Sequence, residues 1–215
     1  MAIIPETAPA PAAGKPGWRR FLTPWRSPAD QPAWARPALL AIAVVAAFAY
    51  GWGMAGASVE PFYGAAARSM SESWHDFAFG AFDPAGTVTV DKLPGALWVQ
   101  ALSLRIFGFH IWALVLPQVI EGVLTILVLY RAVRRLAGPA AGLTAAAALA
   151  VTPVTVLLGR GNVSDSLLIL LLVLAADATG AALLTGSLGQ LLLAGAWVGL
   201  ALPSPGRPRR SWSRP

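Results

Sequence analysis

Residues 111–130 read IWALVLPQVIEGVLTILVLY, and residues 166–185 read SLLILLLVLAADATGAALLT. Each is an almost wholly apolar block of about twenty residues, the length an α-helix needs to cross roughly 30 Å of hydrocarbon at about 1.5 Å per residue. Further stretches qualify at 37–56, at 138–158 and, more weakly, at 187–203. The 215-residue chain is 56% hydrophobic and 12% charged, and its mean hydropathy is +0.62. A soluble domain carries about 25% charged residues, so this chain cannot cover its surface with polar groups in water. Outer-membrane barrels are excluded because their strands alternate apolar and polar positions in short segments. The predicted fold is therefore all-α, a polytopic integral membrane protein of about five transmembrane helices.

Charge divides the chain into two sides. Residues 1–36 are rich in Pro and Ala, with Arg19, Arg20, Arg26 and Arg36 interleaved with Trp18, Trp25 and Trp34. That composition predicts a disordered basic tail along the membrane surface. Arg131, Arg134 and Arg135 follow the second span, on the same side as the tail, and the positive-inside bias makes that side the cytoplasm. The long segment 57–110 then faces outward, and it holds five of the ten acidic residues: Glu60, Glu72, Asp76, Asp83 and Asp91. The short turn 159–165 shares that external face. Within the long loop, 60–73 and 96–107 read as interfacial helices, the second anchored by Trp98. Asp83-Pro84-Ala85-Gly86 reads as a turn and Thr87 to Val90 as extended chain.

With no cysteine, thiol catalysis, disulfides and thiolate metal sites are excluded. Glu60 and Asp91 flank one external loop, with Lys92 beside the second. A carboxylate there can take a proton from an acceptor hydroxyl, and an adjacent ammonium can balance charge on a departing phosphate. Solvated loop acids with no such role give the same pattern. Arg160, Asn162 and Asp165 share the second external turn. Arg160 reads equally as a bidentate phosphate ligand and as a snorkelling anchor. Glu121 and Asp177 lie inside spans and read as structural, the latter as an interhelical hydrogen-bonding residue. His75 reads as a positioning residue and His110 as interfacial.

Several motifs occur in order: Phe62-Tyr63-Gly64-Ala65-Ala66-Ala67-Arg68-Ser69-Met70, Ser73-Trp74-His75, Phe79 to Gly86, Val88-Thr89-Val90-Asp91-Lys92-Leu93-Pro94, Leu97-Trp98 and Pro117-Gln118. Over about residues 37–200 the chain resembles glycosyltransferase family 39, and looks closest to its actinobacterial branch. That family includes the dolichyl-phosphate-mannose protein mannosyltransferases and the aminoarabinose lipid A transferase, and has the GT-C fold. The resemblance implies a sugar donor linked to polyprenyl phosphate, a protein or glycolipid hydroxyl as acceptor, and inversion at C1. It also implies a cell-membrane location with the N-terminus in the cytoplasm, and no nucleic-acid partner. Glu60 falls on the acidic pair that opens the family's first loop, while Val59 stands where the pair's usual Asp would be. The base is therefore Glu60 or Asp91. Asp91 and Lys92 match the acid-Lys-Pro-Pro motif, with Leu93 in place of its first Pro, and Asp165 matches the acid at the start of the fourth span. No cofactor is implied beyond the lipid-linked sugar. Related oligosaccharyl enzymes use a divalent metal with loop acids, which leaves a metal open, although no ligand spacing is recognisable here.

Residues 204–215 carry Arg207, Arg209, Arg210 and Arg214 without an acid, on the side that the span count makes external. This predicts an out-of-frame or disordered tail on an N-terminal piece of a longer transferase. The alternative is a fifth segment that does not span and a tail that stays cytoplasmic. A non-catalytic membrane fragment is the second functional reading. A transporter is the third, and of the charged residues it would need at the midplane only Glu121 fits.

Overall fold

The computed structural model describes residues 26–28, 30–90 and 95–201. Residues 1–25 and 202–215, and with them most of the expected disordered tail 1–36 and the expected out-of-frame C-terminal tail, lie outside the described residues, as do Asp91 and Lys92; Ala35 and Arg36, placed in that tail by the sequence, open the first helix. Helices dominate: α1 (Ala35–Gly51), α2 (Pro61–Glu72), α3 (Trp74–Phe79), α4 (Gly95–Phe107), α5 (Ile111–Val151), α6 (Pro153–Arg160), α7 (Asp165–Thr185) and α8 (Leu188–Ala201). Their ends follow local chemistry. Pro61 and Pro153 open α2 and α6, where their missing N–H is not needed. Ser73 Oγ accepts the Asp76 N–H at the start of α3. Left-handed glycines, Gly80 and Gly186, close α3 and α7.

Three helical stretches are long and apolar enough to cross a bilayer: Ala35–Gly56, Ile111–Val151 and Asp165–Thr185. They give the expected all-α, polytopic membrane architecture, with the predicted spans joined and divided differently. The second and third predicted spans are two arms of α5, which turns at Gly138 (φ 85°, ψ 174°). Residues 131–137, expected to be a loop, continue the first arm as helix. The third span is divided again at Thr152, whose extended backbone precedes Pro153. The fifth predicted span, α8, has 14 residues, about 21 Å of helix and short of the hydrocarbon thickness.

The two arms of α5 fold back on one another. Val115, Val119, Ile126 and Tyr130 of the first arm share a core with Ala146 and Ala150 of the second, together with Ala46 and Tyr50 of α1. Tyr50 is fully buried and donates its hydroxyl to Ala150 O at 3.0 Å. Small residues make room for it: a Cβ on Gly122 or Gly159 would lie 3.0 or 2.9 Å from its side chain. The outward positions Val44, Val45 and Phe48 of α1 and Leu191 and Leu192 of α8 are exposed, as lipid-facing positions must be.

This packing gives the bundle two chemically distinct ends. At one, Asp30 pairs with Arg134 (2.9 Å) and buried Asp177 of α7 pairs with Arg131 (2.5 Å) and Arg135 (2.9 Å). Asp177 thus joins α7 to α5 as an ion-pair partner; its Oδ1 makes no hydrogen bond among the described residues, and an interhelical hydrogen bond runs from Arg135 Nη1 to the Asp177 backbone O at 3.3 Å. At the other end lie the start of α5, the turn 161–164, and the loop elements α2, α3 and α4.

Candidate functional site

The loop end is built on a small hydrophobic platform. Ala66 and Met70 of α2 pack against Leu97 and Ala101 of α4 and against Val90, with Phe62 and Phe82 at the edge. The rings of Phe62 and Phe82 stack at 4.7 Å. Asp83 organises the strand-like excursion above this platform. Its Oδ1 accepts the N–H groups of Thr87 (2.9 Å) and Val88 (2.8 Å), and its Oδ2 accepts the Thr87 hydroxyl (2.8 Å). Gly86 takes φ 66° and its N–H donates to Asp83 O at 2.9 Å, so the predicted turn over 83–86 forms as a backbone-closed β-turn. Thr87 to Val90 is extended as expected and makes one antiparallel bridge, Ala81 to Thr89. Accepting the Val88 and Thr87 bonds holds the Asp83 carboxyl below its ordinary value of 3.8.

The predicted helix at 96–107 is α4, but Trp98 is engaged with protein: its Nε1 donates to Phe77 O at 2.7 Å and its ring stacks on Phe77. Arg105 donates to Ser71 O at 2.8 Å with its guanidinium 3.7 Å above the Trp74 ring, joining α4 to the α2–α3 corner.

The two predicted outer segments meet through one side chain. Asn162 is fully buried; its Oδ1 accepts the Glu60 N–H at 2.6 Å and its Nδ2 donates to Glu60 O at 3.1 Å. The side-chain amide thus satisfies both backbone groups of Glu60, the residue that caps α2, while Glu60 itself is exposed. Gln100 of α4 donates to Asn162 O at 3.2 Å. Buried Gln118 is oriented so that its Oε1 accepts from Gln100 Nε2 (2.5 Å) while its Nε2 donates to Ser166 Oγ (2.8 Å), Val163 O (3.2 Å) and Glu121 Oε2 (3.3 Å). A continuous polar chain therefore runs from the Glu60 backbone into the bundle and ends on Glu121, which has a neutral amide as its neighbour. Among the described residues the buried Gln100 Oε1 and Ser164 Oγ beside this chain have no hydrogen-bond partner.

Of the other expected site residues, Asp165 is half-buried in the first turn of α7, where a carboxylate complements the helix dipole. Arg160 is exposed and donates Nη1 to Ala49 O at 2.8 Å, a carbonyl in the last turn of α1. That contact anchors the guanidinium at the loop end with only one of an arginine's five donors. His75 lies 3.4 Å from buried Asp76 and against the Phe79 ring; His110 precedes α5 and stacks on Trp112. No group of three or more His, Asp or Glu able to hold a metal ion occurs among the described residues. Glu60, Arg160, Asn162 and Asp165 are brought to one end. Gln100 had no place in the sequence reading, and Gln118 entered it only as half of Pro117-Gln118.

The profile of the family described as dolichyl-phosphate-mannose-protein mannosyltransferase matches residues 91–205, more than half of the chain. The chain belongs to this family. Two Bacillus subtilis (strain 168) relatives extend the comparison. The protein named "Putative mannosyltransferase YycA" is 42% identical over 140 residues, 65% of this chain and 20% of that protein. The one named "Putative mannosyltransferase YkcB" is 39% identical over 137 residues, 64% of this chain and 19% of that protein. The chain thus spans about a fifth of the length of these mannosyltransferase relatives. No solved structure matches it. The family match begins at Asp91 and includes Lys92, Arg160, Asn162 and Asp165; Glu60 lies before it.

Proposed function

We propose that the chain belongs to a membrane glycosyltransferase that moves a sugar from a polyprenyl-phosphate donor to a hydroxyl on a protein or glycolipid. Membership of the mannosyltransferase family carries this reading, and the meeting of Glu60 with the 160–165 turn at one end supports its placement. Glu60 or Asp91 takes the proton of the acceptor hydroxyl. The acceptor oxygen then forms a bond to C1 of the sugar on the face opposite the leaving group, and the C1–O bond to the phosphate breaks. The electron pair leaves with the polyprenyl phosphate, whose growing charge is met by Lys92 and by the donors of Arg160 not bound to Ala49. The loop end faces outward, the basic end faces the cytoplasm, and the apolar helices shelter the donor's isoprenoid chain in the cell membrane.

The experiment is transfer of radiolabelled sugar from polyprenyl-phosphate donors in membranes containing the full-length protein. Glu60→Gln or Asp91→Asn should lower turnover by about 10²-fold or more if that carboxylate is the base. Unchanged transfer in both variants would refute the site assignment, and no transfer by the unaltered full-length protein from any such donor would refute the reaction.

A further inference from the structure

The end of the bundle opposite the candidate site contains an open cavity of about 340 Å³. Its lining is divided by chemistry. Arg36, Arg131 and Arg134 supply guanidinium groups, while Leu39 of α1 and Leu124 and Leu127 of α5 supply an apolar wall. The wall continues toward the middle of the spans and the arginines lie where the helices leave the apolar zone.

Not all of this charge is neutralised internally. Arg131 is committed to buried Asp177. Arg134 pairs with Asp30, whose side chain is 64% exposed, and an ion pair with an exposed partner is weak. The Arg36 guanidinium has no ion-pair or hydrogen-bond partner among the described residues. A phosphate can therefore engage Arg36 directly and compete with Asp30 for Arg134, gaining charge-assisted bonds at both. Trp34 at the same end is 52% exposed, the position of an interfacial aromatic.

We propose that this cavity binds one anionic phospholipid from the leaflet at the basic end, its phosphate on Arg36 and Arg134 and one acyl chain along Leu39, Leu124 and Leu127. An amphipathic anion matches the divided lining, whereas inorganic phosphate leaves the apolar wall unfilled and a zwitterionic lipid carries no net charge to meet the arginines. Basic pockets between helices at a membrane surface select anionic headgroups for this reason. The inference does not depend on the transferase reading, because the site lies at the other end of the bundle.

The test is native mass spectrometry of the full chain released from micelles containing phosphatidylglycerol, phosphatidylcholine, polyprenyl phosphate or inorganic phosphate. One retained phosphatidylglycerol is expected, with affinity falling about fivefold for each arginine removed in Arg36→Gln and Arg134→Gln. The Arg36→Lys/Arg134→Lys double variant should keep most of the binding, which separates loss of charge from loss of fold. Arg26→Gln, outside the cavity lining, should leave binding unchanged. Equal retention of phosphatidylcholine, stronger retention of polyprenyl phosphate, equal loss in Arg26→Gln, or no loss in the double Gln variant would each overturn the proposal.

Discussion

Asn162 joins segments 102 positions apart through both backbone groups of Glu60, so truncating it leaves the Glu60 N–H unpaired beneath the loop, while the Glu60 carbonyl keeps the Gly64 N–H at 3.0 Å. Asn162→Ala should destabilise by about 1–3 kcal/mol and speed exchange of the Glu60 amide hydrogen. Asn162→Asp should do at least as much harm, because a carboxylate accepts the Glu60 N–H but faces the Glu60 carbonyl without a proton to donate. Thermal melting in micelles with amide exchange checks both, and protection of Glu60 unchanged in Asn162→Ala would refute the clamp. Asp83 makes a pH-dependent counterpart. Its folded pKa is depressed below 3.8 by the Val88 and Thr87 bonds, so its contribution is fully present above that value and is lost as pH falls through the lower, folded one. Protection of the Thr87 and Val88 amides should stay level from neutral pH to about pH 4 and drop below it, and Asp83→Ala should remove it at every pH. The sequence displayed Glu60 and Asn162 as members of one face but not as partners. Hydropathy and charge sort segments by side, whereas the pairing of an amide with a particular backbone depends on how α2 and the 161–164 turn pack, which no local pattern encodes. Gln100 stayed invisible for the same reason, since a glutamine on a short apolar helix reads as surface until another helix is seen to cover it.

At the scale of elements, the hairpin in α5 depends on two glycines for different reasons. Gly138 has φ 85° and ψ 174°, a region essentially closed to other residues, so Gly138→Ala should cost about 1–3 kcal/mol in strain. Gly142 is helical, but a Cβ there would lie 2.9 Å from the Tyr130 carbonyl oxygen and 3.0 Å from its ring. Backbone cannot step aside as a side chain can, so Gly142→Ala should force the arms apart at about 1–3 kcal/mol. Gly195 in α8 has nothing within 4 Å of its Cβ position and no positive φ, and Gly195→Ala should leave stability unchanged or raise it by up to about 1 kcal/mol. Melting temperatures of the three variants in one detergent check this order, and a Gly195→Ala loss as large as that of Gly142→Ala would remove the packing argument. The sequence began the next span at Gly138 and ended the preceding one at Tyr130, with 131–137 as a loop between them. Hydropathy marks where lipid ends, and α5 runs on beyond that point because Arg134 and Arg135 are solvated or paired without interrupting backbone hydrogen bonds. The break at Thr152 was written in the sequence by Pro153, which disfavours helical backbone at the residue before it, but an unbroken apolar run of about span length concealed it. The six-residue α3 is too short to generate periodicity, and its one local mark is Ser73 placed to cap Asp76.

For the whole molecule, the separation of charge between ends constrains its orientation. The basic end gathers Arg131, Arg134 and Arg135, and the loop end carries Glu60 and the acids of the segment that follows it. A bilayer with a negative cytoplasmic surface favours the first inside and the second outside by about 1 kcal/mol per basic residue. Because the chain contains no cysteine, a single introduced thiol reports one location without background. Ser58 and Ala137 are both exposed, at the loop end and at the α5 turn respectively. In intact cells a membrane-impermeant maleimide should label Ser58→Cys at once, and Ala137→Cys only after the membrane is opened. The reverse pattern would place Glu60 and the 160–165 turn in the cytoplasm, so the donor's sugar would have to be presented on the inner leaflet. Labelling of both sites in intact cells would show that the arms of α5 do not cross together. The transferase reading then loses the sheltered apolar path that it requires for the isoprenoid chain, even if every contact around Asn162 is correct.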